Sequence, residues 1–227
     1  MPDATPESPA QRLAKIEAEM AHACKLARRA PDSVTLIAVS KTRSADEIRP
    51  LLETGHRAYG ENRVQEAATK WPQLRKAYPK VHLHLIGQLQ SNKADEAVEL
   101  FDCIHSLDRL SLLTALTKAM AKAGKRVPCF IQVNIGEEEQ KGGCAIAELP
   151  ELIDAAKAEG VEVIGLMCIP PAEVEPAPYF ALLAELAARH GLSQLSMGMS
   201  DDFPTAIQLG ATHIRVGTAL FGPRPAG

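Results

Sequence analysis

The sequence is poor in aromatic residues and has no basic run, and both deficits exclude classes of partner. Aromatic residues make up 4% of the 227 residues, and the formal net charge is −3. Single-stranded nucleic acids are bound by stacking on aromatic side chains, and anionic surfaces in general are bound by clustered lysine and arginine. We therefore expect neither nucleic acid nor a membrane surface as a partner.

Cysteine is scarce and scattered, which bears on disulfides, metal sites and compartment. The five cysteines never form a Cys-x-x-Cys pair, and they are Cys24, Cys103, Cys129, Cys144 and Cys168. Such a set is typical of free thiols in a reducing compartment, and not of a disulfide framework or a zinc site. The N-terminal residues do not resemble an export signal, and no run is long enough to span a membrane. The sequence therefore predicts a cytoplasmic protein.

Short apolar segments alternate with amphipathic segments along the whole chain. The predicted strands lie near residues 34–40, 57–60, 82–86, 102–106, 129–135, 162–168, 194–198 and 212–216. Strict alternation with helices favours parallel strands joined by right-handed crossovers. Eight such units in this length predict an α/β fold, a closed (β/α)8 TIM barrel, with an open doubly wound sheet as the alternative. No linker-like segment divides the chain, so we expect residues 1–227 to form a single domain.

Helix boundaries can be predicted from capping patterns. Ser8-Pro9-Ala10-Gln11 has the form of a capping box and predicts an extra N-terminal helix that runs to about Arg29. Ser44-Ala45-Asp46-Glu47 has the same form. Asp108 is predicted to cap the long helix that ends at Gly124.

The loops after the last two predicted strands combine small and hydroxyl residues. Gly198 and Ser200 follow the seventh strand, and Gly217 and Thr218 follow the eighth. Small residues let backbone N–H groups approach an anion, and a helix opening at Ser200-Asp201 would add free N–H groups. Barrels often bind phosphate between these two loops. Two ordinary glycine turns, with Ser200 as a simple N-cap, explain the same residues without a ligand.

Lys41 follows the first predicted strand and could be an ordinary surface lysine. In a closed barrel, however, the eighth strand lies beside the first, which places Lys41 next to Gly217 and Thr218. A lysine beside a phosphate site and a strand-borne arginine, here Arg215, predicts a Schiff base with pyridoxal phosphate. The amine is expected to be partly desolvated at the barrel mouth, and Arg215 is expected to point into the barrel under the cofactor ring.

Several segments together resemble the YggS/PROSC family of pyridoxal phosphate homeostasis proteins. They are IAVSKT, YGENRVQE, HLIGQLQSNK, LMCIPP and LSMGMSDDFPTAIQLGATHIRVGTALFG. The resemblance runs from about Val34 to Arg224 and implies a barrel like the N-terminal domain of alanine racemase. It also implies a role in intracellular vitamin B6 homeostasis.

The resemblance assigns roles to most of the predicted cofactor contacts, which are Lys41, Asn62, Met199, Ser200, Arg215, Gly217 and Thr218. It implies that the cofactor is held on Lys41, that Asn62 lies near its ring, and that Arg215 faces the pyridine nitrogen. Ser200, Gly217 and Thr218 would hold the phosphate. Met199, directly before Ser200, is counted with them.

The expected activity is that of a cofactor carrier, and two other functions remain open. One is an amino-acid racemase, and the other is a barrel that binds a different phosphorylated metabolite non-covalently. Racemases of this type take an acid/base group from a second domain, which we expect to be absent because the sequence ends soon after the eighth strand. An arginine at the pyridine nitrogen also disfavours ring protonation. We expect a monomer that exchanges pyridoxal phosphate with apo-enzymes.

His82 and His84 share one face of the third predicted strand and could bind a metal. No aspartate, glutamate or cysteine stands near them at ligand spacing in the sequence. We therefore predict packed barrel histidines and no metal site.

Overall fold

The computed structural model describes residues 7–222, and within them eight parallel strands close into a barrel. The strands are β1 (Thr35–Val39), β2 (Ala58–Glu61), β3 (His82–Leu85), β4 (Cys103–Leu107), β5 (Cys129–Gln132), β6 (Val163–Met167), β7 (Gln194–Ser196) and β8 (His213–Val216). They follow one another in chain order, and β8 pairs with β1 to close the ring. Each strand overlaps a predicted segment, so the predicted TIM barrel is confirmed and the open sheet is wrong.

Helices surround the barrel, one after each strand and one before the first. They are α1 (Pro9–Leu26), α2 (Ala45–Glu53), α3 (Val64–Ala77), α4 (Ala94–Leu100), α5 (Leu110–Ala123), α6 (Leu149–Ala158), α7 (Ala177–Arg189), α8 (Phe203–Gln208) and α9 (Thr218–Phe221). The extra helix α1 packs against α8 and α9 through its buried apolar stripe. Within residues 7–222, no helix is both long and apolar enough to cross a membrane.

The predicted capping boxes are confirmed, and one predicted cap is wrong. The Ser44 N–H donates to Glu47 at 2.8 Å, and the Glu47 N–H donates to the Ser44 hydroxyl at 3.3 Å. Ser8 and Gln11 make the same pair of bonds at the start of α1. Asp108 does not cap α5, because its carboxylate pairs with the Arg109 guanidinium, at 2.6 Å.

The buried residues form two separate groups. Most apolar side chains pack between the outer faces of the strands and the helices. A smaller apolar group of Cys103, Phe130 and Met167 packs separately. The His105 ring stacks on Phe130 from β5 and hydrogen-bonds Ser196 from β7, a strand that does not neighbour β4. These contacts cross the barrel, so its interior contains polar side chains as well as apolar ones.

All five cysteines are buried and free, as the sequence predicts. Burial raises the pKa of Cys129, Cys144 and Cys168 to about 12, so these thiols stay protonated at neutral pH. A protonated, enclosed thiol is a poor nucleophile. These three side chains therefore serve as packing groups.

We predict that Ser44→Ala lowers the free energy of unfolding by about 0.5–2 kcal/mol, because α2 loses its N-terminal hydrogen-bond acceptor. Ser44→Thr keeps a side-chain oxygen at that position and should retain most of the stability. Denaturant unfolding of the two variants measures the difference. Equal losses in both variants would contradict a capping role for this hydroxyl.

Candidate functional site

The carboxyl ends of β1 and β8 lie side by side. Ile37 is opposite Arg215 and Ala38 is opposite Val216 in the pairing of these strands. A Cβ added at Gly217 would lie 3.3 Å from the Val39 carbonyl oxygen, so the two chains remain in contact beyond the paired residues. The turn that carries Lys41 therefore starts beside the start of α9.

Lys41 lies in a tight turn from Ser40 to Arg43. The turn is closed by a bond of 3.1 Å from the Arg43 N–H to the Ser40 carbonyl. Thr42 has a φ of 62°, which for a β-branched residue costs about 1–2 kcal/mol. Its N–H donates to the Glu66 carboxylate at 2.6 Å, which helps to hold this conformation. The Lys41 residue is exposed, which differs from the partial desolvation expected from the sequence.

A buried lysine on α3 hydrogen-bonds to the backbone of the same turn. Lys70 Nζ donates to the carbonyl groups of Ser40 and Arg43 at 2.8 and 3.0 Å. The same ammonium pairs with Glu66 at 2.8 Å and with Glu61 at 2.9 Å. The backbone on both sides of Lys41 is thus fixed by one cation whose charge is matched by two carboxylates.

Glu61 is the most deeply buried carboxylate of this group. Its Oε1 accepts bonds from Ser40 Oγ at 2.5 Å and from Trp71 Nε1 at 2.9 Å, and the side chain is 0% exposed. Burial raises the pKa of Glu61, and the Lys70 ammonium opposes the rise. The negative charge on Glu61 therefore depends on Lys70.

Arg43 links the lysine turn to the segment after β8. Its guanidinium pairs with Glu47 at 3.0 Å, donates to the Gly222 carbonyl, and lies 5.8 Å from the centre of the Phe221 ring. This contact holds the start of α2 against the end of α9. No short motif in the sequence marks this bridge, because its partners are distant along the chain.

The loops after β7 and β8 present backbone donors that have no acceptor in the described part of the chain. Among residues 7–222, the N–H groups of Ser200, Asp201, Thr218 and Ala219 donate to no protein acceptor. The two strands remain bonded up to this level, since the Arg215 N–H donates to the Gly198 carbonyl at 2.9 Å. Neighbouring loops with free N–H groups can hold an anion such as phosphate.

The helix after β7 begins later than predicted. α8 starts at Phe203 and not at Ser200-Asp201. The cause is Asp202, whose carboxylate accepts the Met199 N–H at 2.6 Å and closes a turn before the helix begins. Ser200 is therefore not an N-cap, and the Met199 side chain stands 39% exposed above the turn.

Arg215 is buried inside the barrel, 4% exposed. It donates to Ser196 Oγ at 2.7 Å and to the Cys168 carbonyl at 2.8 Å. A guanidinium has five N–H donors, so three are left without a protein acceptor in the described part of the chain. Burial lowers the pKa of Arg215, but a guanidinium remains charged at neutral pH.

Asn62 follows β2 and is half-buried. Its backbone is in close contact with the loop after β3, because a Cβ at Gly87 would lie only 2.3 Å from the Asn62 carbonyl oxygen. β2 is also the neighbour of β1, with Val39 opposite Gly60. The structure therefore places Asn62 directly after the strand next to the one that leads to Lys41.

A possible metal-ligand group lies inside the barrel, where sequence spacing showed none. The ligand atoms of His84, Cys103 and His105 lie within 4.8 Å of one another. Cys103 and His105 come from β4, which pairs with β3, so their proximity depends on strand pairing. His105 Nε2 bonds to His84 Nδ1 at 2.9 Å, and His105 Nδ1 bonds to Ser196 at 2.8 Å. Hydrogen bonds to protein groups thus explain the positions of these ring nitrogens, and no metal is needed to explain them.

A cleft of about 710 Å³ opens beside this site, between the loops after β6 and β7. Its lining includes Ile169, Val174 and Met199, which are exposed apolar side chains. Lys41 does not line this cleft. The cleft is therefore next to the predicted phosphate loops and separate from the lysine turn.

The chain matches one family model and is similar to bacterial proteins that share one name. Residues 13–225 match the family described as alanine racemase, N-terminal domain. The chain is 40% identical to the pyridoxal phosphate homeostasis protein of Pseudomonas aeruginosa, with 96% of each chain covered. It is 36% identical to the protein of the same name from Escherichia coli K12, with 95% of this chain and 96% of that one covered.

Solved structures of other proteins are also similar to this chain. PipY of Synechococcus elongatus, solved with pyridoxal phosphate bound, has a TM-score of 0.81 and 40% identity, over 94% of this chain and 100% of that one. An alanine racemase from Clostridium difficile has a TM-score of 0.69 at 14% identity, over 94% of this chain and 58% of that one. The second likeness concerns the fold alone.

We predict that Lys70→Met lowers the free energy of unfolding by about 3–5 kcal/mol, because Glu61 becomes a buried charge without an ion-pair partner. The control is the double variant Lys70→Met/Glu61→Gln, which removes both charges and should recover part of the loss. Denaturant unfolding of both variants gives the comparison. If the double variant were no more stable than the single one, an uncompensated Glu61 would not be the cause.

The loss in Lys70→Met should also depend on pH. A carboxyl group whose pKa is raised in the folded state stabilises that state when protonated and loses this advantage as pH rises through the folded pKa. The stability deficit should therefore be larger at about pH 8 than at about pH 5. A deficit that is independent of pH would contradict the assignment to Glu61.

Proposed function

The chain belongs to the family of pyridoxal phosphate homeostasis proteins, and on that basis we propose that it binds pyridoxal phosphate and contributes to intracellular vitamin B6 homeostasis. Lys41 holds the cofactor as a Schiff base, and the protein turns over no substrate of its own. The observation that carries this proposal is the pairing of β8 with β1. It brings an exposed lysine, unused backbone donors and a buried arginine to one end of the barrel.

The chemistry of the donors fits the cofactor. Pyridoxal phosphate has an aldehyde, a phosphate and a pyridine nitrogen, and each has a matching group at this site. An exposed lysine amine can meet the aldehyde. The free N–H groups after β7 and β8 can meet the phosphate. The unused donors of Arg215 can meet the pyridine nitrogen.

Each predicted contact has one role in this proposal. Ser200, Gly217 and Thr218 hold the phosphate through backbone N–H groups and hydroxyls. Arg215 faces the pyridine nitrogen. Asn62 and Met199 lie beside the ring, on the loops after β2 and β7.

Arg215 is also the reason that we propose a carrier and not an enzyme. When bound, pyridoxal phosphate supplies a reactive aldehyde and a ring that accepts electrons best when its nitrogen is protonated. A fixed positive charge at that nitrogen disfavours protonation. Arg215 therefore keeps the ring in the state that is least able to support a carbanion.

The exposure of Lys41 is consistent with exchange of the cofactor. An amine that solvent can reach can release the aldehyde to another amine, so apo-enzymes that need pyridoxal phosphate are the proposed recipients. We also propose that the protein is a cytoplasmic monomer and that residues 1–227 form one domain. The chain covers 96% of the length of the Pseudomonas relative, whose name describes homeostasis.

We predict that borohydride reduction of the holo-protein fixes the cofactor on Lys41, as peptide mass mapping will detect. Lys41→Arg keeps the charge but lacks the nucleophilic amine, so it should give no adduct. Lys93 and Lys141 also follow barrel strands at this end and serve as internal controls. An adduct mapped to either of them, with Lys41 unmodified, would overturn the assignment.

We predict that Thr218→Val weakens pyridoxal phosphate binding about tenfold or more, since a hydrogen bond to a charged group contributes about 1.5–3 kcal/mol. Binding of pyridoxal, which lacks the phosphate, should be unchanged. Thr218→Ser keeps the hydroxyl and is the matched control. Equal weakening for both ligands would place the phosphate elsewhere.

We predict that the holo-protein does not racemise amino acids at enzymatic rates. The assay incubates it with single enantiomers in deuterium oxide and separates the products by chiral chromatography. Exchange no faster than with free cofactor is the expected result. Turnover of about one per second or faster, as is typical of enzymes, would favour the racemase instead.

A further inference from the structure

A continuous line of hydrogen bonds crosses the barrel interior and ends at Arg215. His82 Nδ1 bonds to His84 Nε2 at 3.0 Å, and His84 Nδ1 bonds to His105 Nε2 at 2.9 Å. His105 Nδ1 bonds to Ser196 Oγ at 2.8 Å, and Ser196 Oγ bonds to Arg215 at 2.7 Å. The line starts at the exposed amino end of β3 and reaches the buried guanidinium on β8.

The donor at each link near Arg215 can be assigned by counting protons. A guanidinium only donates, so Ser196 Oγ accepts from Arg215. The single Ser196 proton then has one acceptor within the described residues, which is His105 Nδ1. The opposite assignment would leave that buried proton without a partner, which is unfavourable. His105 therefore carries its own proton on Nε2.

The same reasoning extends to the other end of the line. His105 Nδ1 accepts the Ser196 proton, so the His105 ring is neutral and carries its single proton on Nε2. Burial, which lowers the pKa of His105 and of His84, also disfavours a second proton on either ring. The proton on His105 Nε2 is donated to His84 Nδ1. His84 then carries its proton on Nε2 and donates it to His82 Nδ1.

We infer that these bonds form one directed hydrogen-bond relay, in which Ser196, His105 and His84 are positioning residues that hold the Arg215 guanidinium in place. This rests on the proposed function, in which Arg215 faces the pyridine nitrogen of the cofactor. Arg215 in turn fixes the proton position on each histidine.

The direction of the relay stabilises the buried cation. Each group presents its acceptor to the neighbour on the Arg215 side, so the dipoles align with their negative ends toward the guanidinium, and bonds in such a chain strengthen one another. Among residues 7–222 no carboxylate contacts Arg215 directly. Asp202 acts on it only at longer range, so hydrogen bonds to polar groups add to the compensation of its charge. The stacking of His105 on Phe130, with ring centres 4.3 Å apart, fixes the ring plane that the relay needs.

The relay can be tested by nitrogen NMR of histidine-labelled protein without cofactor, so the result does not depend on cofactor binding. Long-range proton–nitrogen spectra distinguish protonated from unprotonated ring nitrogens. We expect His84 and His105 to carry the proton on Nε2 only. A proton on Nδ1 of either ring would overturn the relay, even if the borohydride adduct is found on Lys41.

Variants of Arg215 test whether its guanidinium sets the proton positions on the histidine rings. Arg215→Met removes the donor, so His105 should lose its single proton position and show a mixture of both. Arg215→Lys keeps a group that only donates and should preserve the order. An unchanged His105 in Arg215→Met would overturn the inference, as would stoichiometric metal bound by His84, Cys103 and His105 in the purified protein.

The effect of the relay on the cofactor site can be measured as a change in the affinity for pyridoxal phosphate. Ser196→Ala breaks the relay next to Arg215 and should weaken pyridoxal phosphate binding about tenfold, the scale of a hydrogen bond to a charged group. Ser106→Ala is the matched control, because the Ser106 hydroxyl is buried on β4 and has no hydrogen-bond partner among the described residues. Equal affinity in both variants would show that the relay does not position Arg215 for the cofactor.

Discussion

The pairing of β8 with β1 is the contact on which the rest of the site depends. It closes the barrel and sets Ile37 opposite Arg215, so that the arginine points inward while the next residues lead to Gly217 and Thr218. A shift of one residue in this register would turn Arg215 to the outer face of the barrel. The positions of the lysine, of the loops proposed to bind phosphate and of the buried cation thus follow from one strand pairing.

The site combines an exposed reactive group with a rigid, charged support. Lys41 is exposed, but the turn that carries it is fixed by Lys70, Glu61 and Glu66, and Thr42 is held at a φ of 62°. Arg215 is likewise held in place by its hydrogen bonds to Ser196 Oγ and to the Cys168 carbonyl. Such supports restrict where the reactive groups lie without enclosing the lysine. This arrangement suits the carrier function that we propose.

The sequence predicts the repeating parts of the fold well and the long-range contacts poorly. Strand positions and capping boxes depend on local patterns, and the proximity of Lys41 to Gly217 follows from barrel closure alone. The support by Lys70 could not be predicted, because it joins α3 to a turn 30 residues earlier with no motif at either end. The cap assigned to Asp108 is wrong because its carboxylate pairs with the Arg109 guanidinium. The helix expected to open at Ser200-Asp201 begins later because the Asp202 carboxylate accepts the Met199 N–H. Sequence spacing also missed the group around His84, which strand pairing assembles.

We propose that one end of the barrel binds pyridoxal phosphate between Lys41 and Arg215. The most direct test is a crystal structure of the protein grown with pyridoxal phosphate. We expect continuous electron density from Lys41 Nζ to the cofactor, the phosphate against the loops of Ser200 and Thr218, and Arg215 at the pyridine nitrogen. Cofactor density at another site, or an Arg215 that turns away from the ring, would contradict the account.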